Sequence, residues 1–149
     1  MKTFKLIEFQ MENKEKKVVH IPLTDGLIIN KENEKNTWLI ELFIEEKYAN
    51  RFDEFTMDDE IPVQVIITKQ ENNPAFFTMK LVSQKKIDSF YSILLEGQLS
   101  KPPFSFAEQL LESLIEKGLT GPTLLSSFQE KIRNQRKAGH TKQLDQKKH

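Results

Sequence analysis

Cysteine does not occur among the 149 residues. Its absence excludes disulfides, thiolate nucleophiles and cysteine-ligated zinc, and it suits a reducing cytoplasm. Histidine is scarce, with three residues, His20, His140 and His149. A general base needs a partner within about 3 Å, and nothing in the pattern supplies one to His20 in "KVVHIPL", which therefore reads as an ordinary strand residue. The other two fall in the C-terminal tail. The five glycines, 26, 97, 118, 121 and 139, are too scattered to cradle a phosphate. No Gly-x-Ser-x-Gly elbow exists, and Ser126-Ser127 falls inside a helical pattern. Long apolar runs are missing as well: "MKTFKLIEFQ" carries Lys2, Lys5, Glu8 and Gln10, and no stretch approaches a signal-peptide core or a membrane span. These absences lead to the expectation of a soluble, cytoplasmic, non-enzymatic chain with no cofactor and no membrane partner.

Net charge is zero, with 22 basic and 22 acidic residues, yet the distribution is uneven. Residues 131–149 hold seven Lys/Arg against one Asp, a net of +6, which leaves fifteen against twenty-one, a net of −6, in residues 1–130. The tail, with Lys131, Arg133, Arg136 and Lys137, is a candidate for contact with nucleic acid. Asp53, Glu54, Asp58, Asp59 and Glu60 form an acidic cluster whose spacing matches no calcium loop, so it reads as a solvated loop. Phe76, Phe77, Phe90 and Tyr91 are candidates for base stacking, but no Lys/Arg cluster surrounds them, and core packing explains them better.

Most of the first hundred residues read as strand. "TFKLIEFQM" and "KVVHIPL" flank the polar "NKEK" as a hairpin. Asp25-Gly26 lies between apolar stretches and predicts a two-residue turn at which the chain reverses, with Pro22 at an edge or bulge. "NKENEKN" (30–36) reads as a charged, structureless tip. "TWLIELFIEE" sets Trp38, Ile40, Leu42 and Ile44 on one face and Leu39, Glu41, Phe43 and Glu45 on the other, which suits a central strand with both faces partly covered. Tyr48, Phe52 and Phe55 recur at helical spacing and predict a short helix or ordered loop. "IPVQVIITK", "AFFTMKLVS" and "KIDSFYSILLEG" supply further strands. About seven strands joined by polar turns, without helical crossovers, argue for an antiparallel barrel or sandwich over residues 1–100.

"KPPF" (101–104) then breaks the pattern, because two prolines disfavour both strand and helix. Ser105 to Glu108 fits a capping box, so a helix is expected to begin at Ser105, with Gly118 as its left-handed C-terminal residue. Phe106, Leu110, Leu111, Leu114 and Ile115 form an apolar stripe opposite Glu108, Glu112 and Glu116. A second helix, from about Thr123 to Lys137, carries Leu124, Leu125, Phe128 and Ile132. The pair makes a helical hairpin over 104–138, followed by a disordered basic tail over 139–149. Two facing stripes cannot bury each other completely, and their burial falls short of the entropy of ordering the segment, so a third surface must cover them. The candidate protein interface is therefore Phe106, Leu110, Leu114, Leu124, Leu125 and Phe128, to be covered by the chain's own barrel, by a second copy or by another protein.

With "MKTFKL" at its start, "IPLTDGLIINKE" before "WLIE", and "FAEQLLESLIEKG" near its end, the sequence resembles the YwpF-like family of uncharacterised bacterial proteins. The resemblance implies a β-barrel core with a C-terminal two-helix unit and no established activity, and it transfers no functional residue. Such barrels are similar to those of ring-forming secretion-tube proteins, an analogy of fold. The functional expectation is an interaction or assembly module working through the helix pair.

Overall fold

The computed structural model describes residues 1–133. Strand β1 (Lys2–Glu12) is its organising element. A bulge between Leu6 and Glu8 shifts its register, which puts Leu6, Phe9 and Met11 into one core in spite of their uneven spacing. β2 (Val18–His20) and β3 (Asp25–Asn30) both pair antiparallel to β1, through Gln10↔His20 and Lys5↔Leu27. The chain thus reverses once, at the turn where the Asn13 N–H donates to the Lys17 carbonyl at 2.8 Å, and continues in one direction through residues 21–24.

The turn expected at Asp25-Gly26 is absent, because both residues are in β3, opposite Phe43 and Leu42. Gly26 is not among the residues of positive φ. It serves instead a close approach, since a Cβ there would stand 3.2 Å from Leu6 Cβ. Pro22 occupies the gap between β2 and β3, outside both strands, where its missing N–H costs no ladder bond.

β4 (Trp38–Glu45), β5 (Ile61–Ile67), β6 (Ala75–Ile87) and β7 (Phe90–Leu99) complete the sheet. The order β1-β3-β4-β7-β6-β5 closes by pairing of β5 with β1, giving a six-stranded antiparallel barrel with β2 added along β1. The fold is mainly β, as the sequence suggests, and the barrel takes the place of the sandwich. β4 is central, with Trp38, Ile40, Leu42 and Ile44 buried inside. The last hairpin differs from expectation. β6 runs on to Ile87, which pairs with Phe90, and the reversal falls at Asp88-Ser89, with Asp88 at φ 55°.

The 30–36 connection is also more ordered than its composition suggests. Asn33 Oδ1 accepts the Thr37 N–H at 3.0 Å, Asn30 Oδ1 accepts the Glu32 N–H at 3.0 Å, and the Lys31 N–H donates to the Thr37 carbonyl. Asparagine side chains here replace backbone partners, as they do in turns. The expected short helix forms as α1 (Glu46–Ala49) followed by a 3₁₀ turn (Asn50–Phe52). It delivers Ala49, Phe52 and Phe55 to the core, with the Phe52 ring 6.2 Å from that of Phe9. Two helices follow the barrel: α2 (Phe104–Glu116) and α3, residues 121–133. No described helix is long and apolar enough to cross a membrane.

Candidate protein interface

Pro102 and Pro103 end the β region, and α2 starts at Phe104 with Pro103 as its N-cap and no side-chain capping bond. The expected capping box is therefore not formed. The Ser105 hydroxyl donates to Glu12 Oε2 at the far end of β1. Glu12 is itself buried, and its other oxygen lies 3.6 Å from Lys16 Nζ. A carboxylate taken out of water needs such partners, and hydrogen bonds to charged groups are the stronger ones. Ser105 thus ties the first turn of the helix to the barrel.

One turn of side chains makes the apolar part of the joint. Phe106 stands edge-on to Phe76 with ring centroids 5.4 Å apart, an arrangement that suits the positive edge and negative face of aromatic rings. Phe76 lies outside the barrel's own core cluster. It belongs to the outward row Gln10, Gln64 and Phe76 that crosses β1, β5 and β6 in register. This wall is mostly polar, and the Gln10 amide oxygen is buried there without a partner among the described residues. Farther along α2, Leu114 is buried as well. The helix ends as expected at Gly118, φ 83°. The Leu119 N–H reaches the Leu114 carbonyl at 3.3 Å and the Gly118 N–H that of Ile115 at 2.9 Å, the paired bonds of a Schellman motif.

Docking divides the candidate residues into two groups. Phe106 and Leu114, exposed by only 1% and 2%, are taken up within the chain's own fold and are not open to a partner. Leu110, Leu124 and Phe128 are half-buried. Leu125 is 57% exposed, and three apolar residues outside the candidate set are exposed as well, Phe104 at 77%, Ile115 at 53% and Leu111 at 36%. The exposure of the α2 residues depends on which side of that helix meets the barrel, and an apolar stripe alone does not fix that.

The remaining candidates fall as follows. Lys131 and Arg133 are exposed on α3, whereas Arg136, Lys137 and the expected tail over 139–149 lie outside the described residues. The acidic cluster organises its own loop: Asp59 Oδ2 accepts the Thr56 N–H at 2.8 Å and pairs with Lys14 Nζ at 3.3 Å, while Glu54 Oε1 accepts the Lys14 N–H. Those bonds hold the Asp59 carboxyl below its ordinary value of 3.8, with the Thr56 backbone bond as the main cause and Lys14 next. Phe76 and Phe77 are buried, in keeping with a packing role. His20 is exposed in β2, and its carbonyl accepts a bond from Arg51 at 2.6 Å.

Comparison with known proteins agrees with this architecture. A family model described as YwpF-like protein matches residues 2–131. The "Uncharacterized protein YwpF" of Bacillus subtilis (strain 168) is 37% identical over 136 residues, which cover 89% of this chain and 100% of that protein. A crystal structure of a hypothetical protein from Staphylococcus aureus is similar with a TM-score of 0.61 and 35% identity, over 90% of this chain and 94% of the other.

Proposed function

This chain belongs to the YwpF-like family, a family of unknown function, and we propose that it is a non-enzymatic, cytoplasmic interaction module whose working surface is the outer side of the helical hairpin. One observation carries the reading. Helix α2 is fixed to the barrel through Phe106 on Phe76 and Ser105 on Glu12, and Leu114 is buried, while Phe104, Leu111 and Ile115 on α2 and Leu125 on α3 remain exposed. Large apolar side chains gathered on a held, rigid element have the form of a protein-binding surface.

The test is a Leu111→Asp/Leu125→Asp double variant. Both positions are exposed, so its thermal melt is expected to stay within a few degrees of the parent, while binding to the partner or to itself falls at least about tenfold. Unchanged binding in a variant of unchanged stability refutes the reading.

A further inference from the structure

The barrel wall away from the hairpin carries a second apolar surface. Outward residues of β3, β4 and β7 lie in register there: Leu27 and Leu94 flank Glu41 on the neighbouring strands, and Leu39 and Phe43 flank it along its own strand. These four apolar side chains are all half-buried, and Glu41 is exposed. The Phe43 ring stacks on Phe90 at 4.9 Å, extending the patch toward the sheet end. Among the described residues Glu41 takes part in no ion pair. Asp25, exposed beside Phe43 in register, adds a second negative charge at the rim. The surface therefore offers an apolar ring around one unpaired carboxylate, which fits an apolar side chain and a cation carried on one element.

The chain itself has such an element. On α3, Leu125, Gln129 and Arg133 follow at four-residue spacing and are all exposed, with Lys131 exposed beside them. A four-residue step keeps side chains on neighbouring positions of one helix face. Charge agrees, since residues 131–149 carry +6 and residues 1–130 carry −6. The hairpin is anchored at Glu12 and Phe76, on the β1 and β6 side, whereas β4 sits across the barrel.

We infer that the β3-β4-β7 wall receives the basic end of α3 from a second copy of this chain, with Arg133 of one copy set against Glu41 of the next. This deepens the interaction reading above by naming the partner and its receiving surface. The contact pairs two different patches, so it is either head-to-tail, giving rings or filaments, or doubled by a two-fold axis into a dimer, and the mass in solution distinguishes the two.

Sedimentation velocity of the full chain tests it at about 0.05 M and about 0.5 M salt, across which charge pairing is increasingly screened. The expected result is a mass well above the 17.5 kDa monomer at low salt, falling toward it at high salt. Glu41→Arg and Arg133→Glu each weaken association at least about tenfold, Glu41→Gln weakens it less, and the Glu41→Arg/Arg133→Glu double variant restores it. A 17.5 kDa species at both salts overturns the inference, and so does a swapped double variant no better than its parents. If Leu111→Asp/Leu125→Asp abolishes association but Glu41→Arg does not, this receiving surface is wrong and the hairpin reading stands.

Discussion

Gly97 is the position where one methyl group should cost most. It lies in β7 between Trp38 and Met79. A Cβ built there would sit 1.9 Å from the Thr78 carbonyl oxygen, 2.9 Å from Met79 Cα and 2.9 Å from Met79 Sδ. Two of these three neighbours are backbone atoms, so Gly97→Ala is relieved only by moving β7 away from β6. Overpacking of this kind costs about 1–3 kcal/mol, and each weakened ladder bond adds about 1 kcal/mol, so a loss of about 3 kcal/mol or more is expected. At this chain length that lowers the melting temperature by roughly 6–12 °C. Urea unfolding followed by the fluorescence of Trp38, the single tryptophan, reads the event at the residue paired with Gly97. Gly118→Ala is the control, because its φ is 83° with nothing within 4 Å among the described residues, so it meets left-handed backbone strain of about 1–2 kcal/mol. A Gly97→Ala protein within about 0.5 kcal/mol of the parent, or less affected than Gly118→Ala, refutes the close approach of the two strands.

Three further outcomes follow from the joint between helix and barrel and from the acidic loop. Phe106→Ala removes the ring packed on Phe76; it should cost about 3 kcal/mol in chemical denaturation, the low end for a buried phenylalanine because the wall beneath is mostly polar. Ser105→Ala leaves the buried Glu12 without its hydroxyl donor and is expected to lose about 1.5–3 kcal/mol, whereas a loss under 0.5 kcal/mol would mean that water replaces the hydroxyl freely. Asp59, with its carboxyl pKa lowered by the Thr56 and Lys14 bonds, contributes stability above its unfolded pKa, and that contribution fades as pH falls through the folded one. NMR titration should place its midpoint below the ordinary 3.8, and a midpoint at or above that value contradicts the loop geometry.

Local pattern made the architecture legible wherever burial follows period. The alternation of Trp38, Ile40, Leu42 and Ile44 identifies the central strand, and it also shows Leu39 and Phe43 on the outer face, where the structure aligns them with Leu27 and Leu94. Pattern and structure part where a residue answers to a distant partner. Gly26 resembles a turn glycine, but what it accommodates is Leu6, twenty residues earlier. Ser105 has capping-box spacing, yet Glu12, 93 residues away, takes its hydroxyl. Asp88 tolerates the left-handed turn that "KIDSF" needs, but a bulge between Leu81 and Ser83 displaces the alternation just before it and hides the continuity of β6. The hairpin's need for a third surface was visible in its two apolar stripes. Which stripe residues stay exposed depended on Phe76, whose outward orientation comes only from the pairing of β6 with β5.

The most direct test of a hairpin that is fixed on one side and works on the other is truncation after Pro103. Among the described residues, the barrel core cluster contains none beyond Leu95, and its partly buried neighbours end at Leu99. The shortened chain should therefore still melt cooperatively, at a lower temperature because Phe76 loses its cover, and it should sediment as a monomer under conditions in which the full chain associates. Loss of the cooperative melt would make the hairpin part of the core, and association equal to that of the full chain would remove the hairpin from the interface.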